Sequence, residues 1–388
     1  MAGPELTPTP TIAEQIAELV RVPSVNPLQA GPKSGSGGEV ALSNWLANRA
    51  QDLGAEVAVD DVLDGRQNVY ARFEGSTDRV VTIDVHLDTV GVEHMTDPPF
   101  DGRIEDGRVW GRGSVDTKAT LPIVLSVLDD LRRNGERPGP TVNVVGTISE
   151  EMGGLIGAKG YRDWLEAHGA HIDQVIVAEP TMCAPVHGHK GACGLEVTVH
   201  GMAAHSSQPH LGESAISAAA RIITAIDREQ ERLASLTPTT AVGNGSVGVM
   251  EMSGGVARNI IAPIAEVYCG RRIAPGEDPM EIFAQLSELV RAAALPLQVD
   301  IALANNSAAA AFYQDPYSPL IAELAKIAGT DPDVATYGSN ALCYGDVASE
   351  LVVFGPGSID QAHKAVEWID IDQIDRAATI YRHWLRAS

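Results

Sequence analysis

The chain has 388 residues, of which 44% are hydrophobic and 20% charged, the make-up of a folded globular protein and not of a disordered one. At about 150 residues per domain, that length implies two domains. Lys and Arg number 28 against 51 Asp and Glu, a formal net charge of −23. Nucleic-acid phosphates and anionic membranes repel such a chain, so neither is an expected partner.

Cys183, Cys193, Cys269 and Cys343 include no CxxC pair, and no disulfide framework is expected. Met1 to Thr11 is rich in Pro and Thr and lacks the basic and apolar regions of a signal peptide. No run is long and apolar enough for a membrane span. The expected compartment is the cytoplasm.

In chain order, Thr11 to Arg21 has helical periodicity, with a threonine placed to cap it. A Gly/Ser-rich loop, Gly31 to Gly38, precedes a second helix from Val40 to Leu53. Asn68 to Phe73 and Arg79 to Val85 are strand candidates. Lys118 to Arg133 is an amphipathic helix whose Pro122 falls early enough to be tolerated. Thr141 to Thr147 reads as a strand, Gly157 to His168 as a helix and Gln174 to Ala178 as a short buried strand. This alternation predicts an α/β domain with a mixed, largely parallel sheet flanked by helices.

The pattern changes after about residue 186. Strand Gly194 to Val199, helix Glu213 to Leu236, strands Ser246 to Met252 and Ala265 to Ile273, helix Pro279 to Ala294 and strand Leu297 to Ala302 follow one another. That order, β-α-β-β-α-β, is the ferredoxin-like split motif. It reads as an α+β domain over 187–303, inserted into a first domain made of 1–186 and 304–388. The end of the chain returns to helix, strand (Glu350 to Phe354) and helix (Ile371 to Arg386).

Candidate chemistry collects at strand ends. His86 and Asp88 follow one strand, Asp116 precedes the helix beginning at Lys118, Glu150 and Glu151 follow a third element, and Glu179 follows QVIVA. Ligands of open α/β sheets bind outside the carboxyl ends of the strands. One histidine and five carboxylates on one rim suit a zinc, cobalt or manganese ion. The Glu150–Glu151 pair could supply one metal ligand and one base. Singly, each residue has a plainer reading: a structural histidine, an N-cap aspartate, a solvated Glu-Glu turn. Their joint placement favours a site.

His86-Leu87-Asp88, GRGSVDTK with Asp116 and Lys118, Ser149-Glu150-Glu151 followed by Gly153, and Ala178-Glu179-Pro180-Thr181 together resemble the M20 metallopeptidase family. That family includes acetylornithine deacetylases, succinyl-diaminopimelate desuccinylases, aminoacylases and glutamate carboxypeptidases. The resemblance covers nearly the whole chain. It implies an amide hydrolase with two divalent metal ions, zinc first, with cobalt or manganese as alternatives. His86 and Glu179 would hold one ion, Glu151 and His363 (in GPGSIDQAH) the other, and Asp116 would bridge them. Asp88 would hydrogen-bond the other ring nitrogen of His86 and fix its tautomer. Glu150 would be the general base, acting on a water between the metals, and later the acid.

In the inserted domain, His205 resembles the family histidine that reaches into a partner subunit's site to stabilise the oxyanion. Asn259 and Arg272 resemble the pair that contacts the substrate carboxylate or the scissile carbonyl. The resemblance thus implies a homodimer through the inserted, lid-like domain. Without it, His363, His205 and Arg272 read as ordinary loop or surface residues. Ala119, Ser149, Ala262 and Gly270 depart from common family residues, but none is an expected ligand.

The segment GPGSIDQAHKAVEWI is most similar to acetylornithine deacetylases. The expected substrate is therefore a small N-acyl amino acid, N-acetylornithine first. A succinyl-diaminopimelate desuccinylase, or a glutamate carboxypeptidase acting on a short peptide, is the alternative. A non-catalytic metal-binding homologue would lack the base or a ligand, and every such position is filled. A dinucleotide-dependent oxidoreductase would need GxGxxG after a strand, which GRGS at Gly111 to Ser114 is not.

Overall fold

The first helix, α1 (Ile12–Val20), begins where its residue types place it. Thr11 accepts a hydrogen bond from the Glu14 N–H, and the Glu14 carboxylate accepts one from the Thr11 N–H, a capping box. The structure, a computed structural model, describes residues 10–35 and 38–386, with backbone alone at 305–307. Most of the Pro/Thr-rich start, and two residues of the Gly/Ser-rich loop, lie outside the described residues. The chain divides into two compact units. The first comprises the described residues up to His187, Gln314–Asp333 and those from Ser339 onward; the second comprises Gly188–Tyr313 and Val334–Gly338.

The first unit continues with α2 (Val40–Asp52), β1 (Glu56–Leu63), β2 (Arg66–Phe73), β3 (Val80–His86), β4 (Ile104–Glu105), β5 (Arg108–Trp110), α3 (Thr120–Arg133), β6 (Thr141–Thr147), α4 (Ile156–His168) and β7 (Gln174–Val177). Its central sheet has the order β1-β2-β6-β3-β7-β14, where β14 is Glu350–Val353. The strands β6, β3, β7 and β14 run parallel, and β1 and β2 form an antiparallel edge. The edge strand β1 escapes the sequence pattern because Asp60 and Asp61 interrupt its apolar alternation; at a sheet edge such charges are tolerated and discourage pairing with other chains.

Alternation along β3 separates two environments. Val81, Ile83 and Val85 enter a large apolar core shared with α1, α2 and α3. By the two-residue period, Thr82, Asp84 and His86 face the other way. Asp84 is fully buried there and accepts hydrogen bonds from Thr147 Oγ1 at 2.7 Å and Tyr344 OH at 2.8 Å.

The second unit contains β8 (Gly188–His189), β9 (Gly191–His200), α5 (Ala215–Ala234), β10 (Ser246–Gly254), β11 (Ile264–Ile273), α6 (Pro279–Ala294), β12 (Gln298–Ala309) and β13 (Phe312–Tyr313). Its antiparallel sheet, β10-β11-β9-β12, carries β-α-β-β-α-β connectivity from β9 to β12. Leu195, Val197 and Val199 alternate into a core with Ile222, Ile226 and Val290 of the two helices. Its main stretch runs to Tyr313, and Val334–Gly338 join it. The strand β12 continues past the expected end at Ala302, with a shift of register between Leu303 and Ala308.

The chain closes in the first unit with α7 (Pro319–Ala328), β14, β15 (Trp368–Asp370) and α8 (Ile371–Arg386). All four cysteines are free and buried. Among the described residues, no helix is long and apolar enough to cross a membrane. Trp384 of α8 is fully buried in the large core. Trp384→Ala is expected to cost about 3–5 kcal/mol through lost burial and the cavity left behind, read as a lower urea midpoint.

Candidate metal centre

Parallel pairing places the carboxyl ends of β6, β3 and β7 side by side. His86 is the last residue of β3, Glu150 and Glu151 lie just past β6, and Glu179 lies just past β7. Asp116 comes from the loop between β5 and α3, and His363 from the turn before β15. Asp116 caps no helix: α3 has Ala119 at its N-cap and no side-chain cap bond.

The Asp116 carboxylate stands between two histidines. Its Oδ1 is 3.0 Å from His86 Nε2, and its Oδ2 is 3.2 Å from His363 Nε2. His363 Nε2 is also 3.0 Å from Glu151 Oε2. Two groups therefore share Asp116, and ligand atoms within each lie within 4.8 Å of one another: His86, Asp116 and Glu179, and Asp116, Glu151 and His363. His363 adopts a left-handed φ of 59°, a strained backbone for a side chain of its size.

The donor chemistry fits divalent cations. His86 Nδ1 lies 2.9 Å from the Asp88 backbone oxygen. A proton on Nδ1 satisfies that contact and leaves the Nε2 lone pair facing the centre. Glu179 is 4% exposed, and its buried Oε1 has no hydrogen-bond partner among the described residues. A buried carboxylate oxygen without a donor needs a proton or a metal.

Electrostatics point the same way. Burial pushes the Glu150 and Glu179 carboxyls well above their ordinary range, reinforced by neighbouring carboxylates. Burial, then the Asp116 charge, raises Glu151 to about 7. Hydrogen bonds to Asp116 and Glu151 raise His363 to about 10. For His86, burial opposes the charge, but the bond to Asp116 and the surrounding carboxylates outweigh it. The protons taken up by these groups mark where cations would be favoured.

Asp88 does something other than the sequence implied. The carbonyl oxygen, not the carboxylate, meets His86 Nδ1; the nearer carboxylate oxygen stands 3.7 Å away. Instead, Asp88 Oδ1 accepts the Glu150 N–H at 3.0 Å and Oδ2 the Glu151 N–H at 3.1 Å. The carboxylate thus holds the backbone of the Glu pair, because a charged acceptor strengthens both bonds. Lys118 is also no ligand. Its buried ammonium donates to the carbonyls of Leu19 and Val22 at 3.1 and 2.7 Å.

His205, Asn259 and Arg272 belong to the second unit. His205 is exposed in the loop between β9 and α5, with its Nδ1 2.7 Å from Ser207 Oγ. The Asn259 carbonyl accepts the Ser206 N–H at 2.9 Å, which ties the two loops. Arg272 is exposed on β11, opposite Ala192 of β9.

Residues 82–387 match the profile of Peptidase family M20/M25/M40. The chain belongs to this family. Acetylornithine deacetylase of Myxococcus xanthus is 30% identical over 71% of this chain and 71% of that protein. A probable carboxypeptidase of Aspergillus terreus is 31% identical over 84% of this chain and 76% of its own. An M20 family metallo-carboxypeptidase of Sulfolobus solfataricus shares the fold with a TM-score of 0.76 at 18% identity, over 97% of this chain and 99% of that one. A dinuclear metal-binding M20 peptidase of Bacillus subtilis gives 0.69 at 14% identity, over 97% and 96%. This M20 protein is accordingly a hydrolase acting on amide bonds.

Residues passed over in the sequence hold this M20 centre in place. Glu367 and Arg112 form an ion pair in which each side chain is 1% exposed. Glu367 Oε1 also accepts the N–H groups of Gly113, Val115 and Asp116 at 2.9, 3.1 and 3.4 Å. Four residues beyond His363, Glu367 therefore ties the Asp116 loop to the His363 segment. On the far side, Glu39 pairs with Arg66 and accepts the Ser149 N–H at 3.3 Å, while Arg66 donates to Ser149 Oγ at 2.7 Å. These contacts hold Ser149 at a left-handed φ of 57°, immediately before Glu150. A glutamate four residues after a candidate ligand was the one signal for Glu367, and it is weak alone.

Glu367→Ala strands a buried guanidinium. The expected cost is about 3–5 kcal/mol, with lower metal content per chain, read by urea unfolding and elemental analysis. Chelation should lower the thermal midpoint. In the stripped protein, the folded state raises Glu151 from its ordinary 4.5 to about 7. A raised carboxyl stabilises the fold below its unfolded value and loses that contribution as pH rises through the folded one. The stripped midpoint should therefore fall as pH rises through about 7, more steeply than that of the metal-loaded protein.

Proposed function

We propose that this M20 hydrolase removes the acyl group from an N-acyl amino acid, with N-acetylornithine as the leading substrate. One observation carries the chemistry: Asp116 is shared between two ligand groups, with the half-buried Glu150, which belongs to neither, immediately before Glu151. His86, Asp116 and Glu179 would hold one divalent ion, and Asp116, Glu151 and His363 the second, zinc first and cobalt or manganese otherwise. Bound there, such a pair supplies a water of lowered pKa and polarises the amide carbonyl.

The chain's own groups do the rest. Glu150 takes the proton of the attacking water and returns it to the leaving nitrogen, a task suited to a carboxyl whose proton affinity burial has raised. Asp88 keeps Glu150 in place through its backbone N–H. The Ser207 N–H donates to His205 Nδ1 at 3.2 Å, so the His205 proton sits on Nε2. That N–H is a ready donor to a developing oxyanion, acting across a homodimer. Arg272 and Asn259 would bind the substrate carboxylate.

The second unit serves as the dimerisation and lid domain. Support comes from its edge strand β10, where Met250 and Met252 are 64% and 45% exposed, followed by exposed Val256 and Ile260. The buried free cysteines suit a reducing compartment, the cytoplasm.

The deacetylase reading is supported by the relatives named acetylornithine deacetylase and by GPGSIDQAH around His363. The relatives named probable carboxypeptidase favour a second reading, release of a C-terminal amino acid. A hydrolysis panel with added zinc or cobalt decides between them. N-acetylornithine is expected to turn over faster than succinyl-diaminopimelate and glutamyl-ended peptides, and the reverse order replaces the substrate assignment. Glu150→Gln is expected to lower kcat at least about 100-fold with metal content retained. A wild-type kcat in that variant would sink the assigned base.

A further inference from the structure

The geometry points to Asn26 as a positioning residue for Glu150, acting through the carboxylate of Asp88. Asn26 lies in the turn Pro23-Ser24-Val25-Asn26-Pro27, outside the residues matched by the family profile. It is 0% exposed. Its amide serves three segments at once. Nδ2 donates to Asp88 Oδ2 at 2.7 Å and to the Met152 carbonyl at 2.8 Å. Oδ1 accepts the Leu28 N–H at 3.0 Å. The Asn26 backbone is anchored as well, its N–H donating to the Thr89 carbonyl at 2.9 Å.

Asp88 already accepts the N–H groups of Glu150 and Glu151. The Asn26 amide closes a ring that runs from Asp88 to the Glu pair, on to Met152, and back. Among the described residues it supplies the one side-chain donor hydrogen-bonded to the Asp88 carboxylate, and it also grips the far end of the Glu150–Met152 turn. Each of these bonds is buried or part-buried. Losing Nδ2 would leave one Asp88 oxygen a donor short and free the Met152 carbonyl, at a turn whose first residue, Ser149, is already strained. The two ends of the amide have separate tasks: Oδ1 caps its own turn, and Nδ2 sets the base.

This inference rests on Glu150 being the base. Asn26→Asp keeps an oxygen for Leu28 and removes both Nδ2 bonds, setting a second carboxylate against Asp88. With N-acetylornithine, or the best substrate of the panel, kcat is expected to fall by about ten- to a hundredfold, as for a misplaced reacting group. KM and metal per chain should stay at wild-type values. A wild-type kcat overturns the inference, as does a loss confined to KM or to metal content. If Asn26→Asp does not fold, Asn26→Ser, which can still cap Leu28 but falls short of Asp88, decides by the same split. Glu150→Gln separates the two levels. If it keeps turnover, the assigned base fails; if it abolishes turnover while Asn26→Asp leaves kcat intact, only the role of Asn26 fails.

Discussion

Asp116, Glu150, Glu151 and Glu179 crowd around two histidines, with Asp116, Glu179 and His86 buried and Glu150 and Glu151 half-buried, so water screens them only in part. Ionised carboxylates there repel one another and lose hydration, so they take up protons or are neutralised by cations. The surroundings of the centre are arranged around that constraint. Three neighbouring carboxylates, Asp88, Glu39 and Glu367, are surrounded by donors: backbone N–H groups in every case, with Asn26, Arg66 or Arg112 in addition. They are structural because their charge is already answered. Glu179 has an oxygen that no donor answers among the described residues, and Asp116 is shared between two imidazoles. The division between carboxylates with donors and carboxylates without them separates the scaffold from the site.

The fold makes that division affordable. β3 sends Val81, Ile83 and Val85 into the apolar core and, by alternation, turns Asp84 and His86 to the other face. Asp84 is itself held by Thr147 and Tyr344, so the polar layer beneath the centre is closed by hydrogen bonds. Parallel pairing of β6, β3 and β7 then brings three loop starts to one edge. Ser149 and His363, both left-handed, show that the loops do not rest in their easiest conformations; the Glu39–Arg66 and Glu367–Arg112 pairs hold them there.

Much of this was legible in the residues. The helix at Thr11, the strand ends bearing His86, Glu150, Glu151 and Glu179, and the β-α-β-β-α-β order of the second unit all follow from short-range periodicity and capping. Such signals are local, and local energetics reward them whatever the chain does elsewhere. Legibility stopped where partners are distant. β1 was hidden by its aspartates, and β12 extends to Ala309, past the expected end at Ala302. Asn26, Glu39, Arg66, Arg112 and Glu367 looked like any other polar residues, since each acquires its meaning from a partner tens to hundreds of positions away.

The sequence by itself determined the chemistry on offer: which ligand types exist, which strand ends carry them, and to which family the spacings belong. Only the tertiary structure decided how that chemistry is held. It showed that Asp116 lies between His86 and His363, and that the Asp88 carboxylate grips the Glu pair while its carbonyl meets His86. The physical reason is range. A strand's alternation or a helix cap is set by neighbours a few residues apart, whereas a carboxylate's role depends on which donors folding brings within about 3 Å of it.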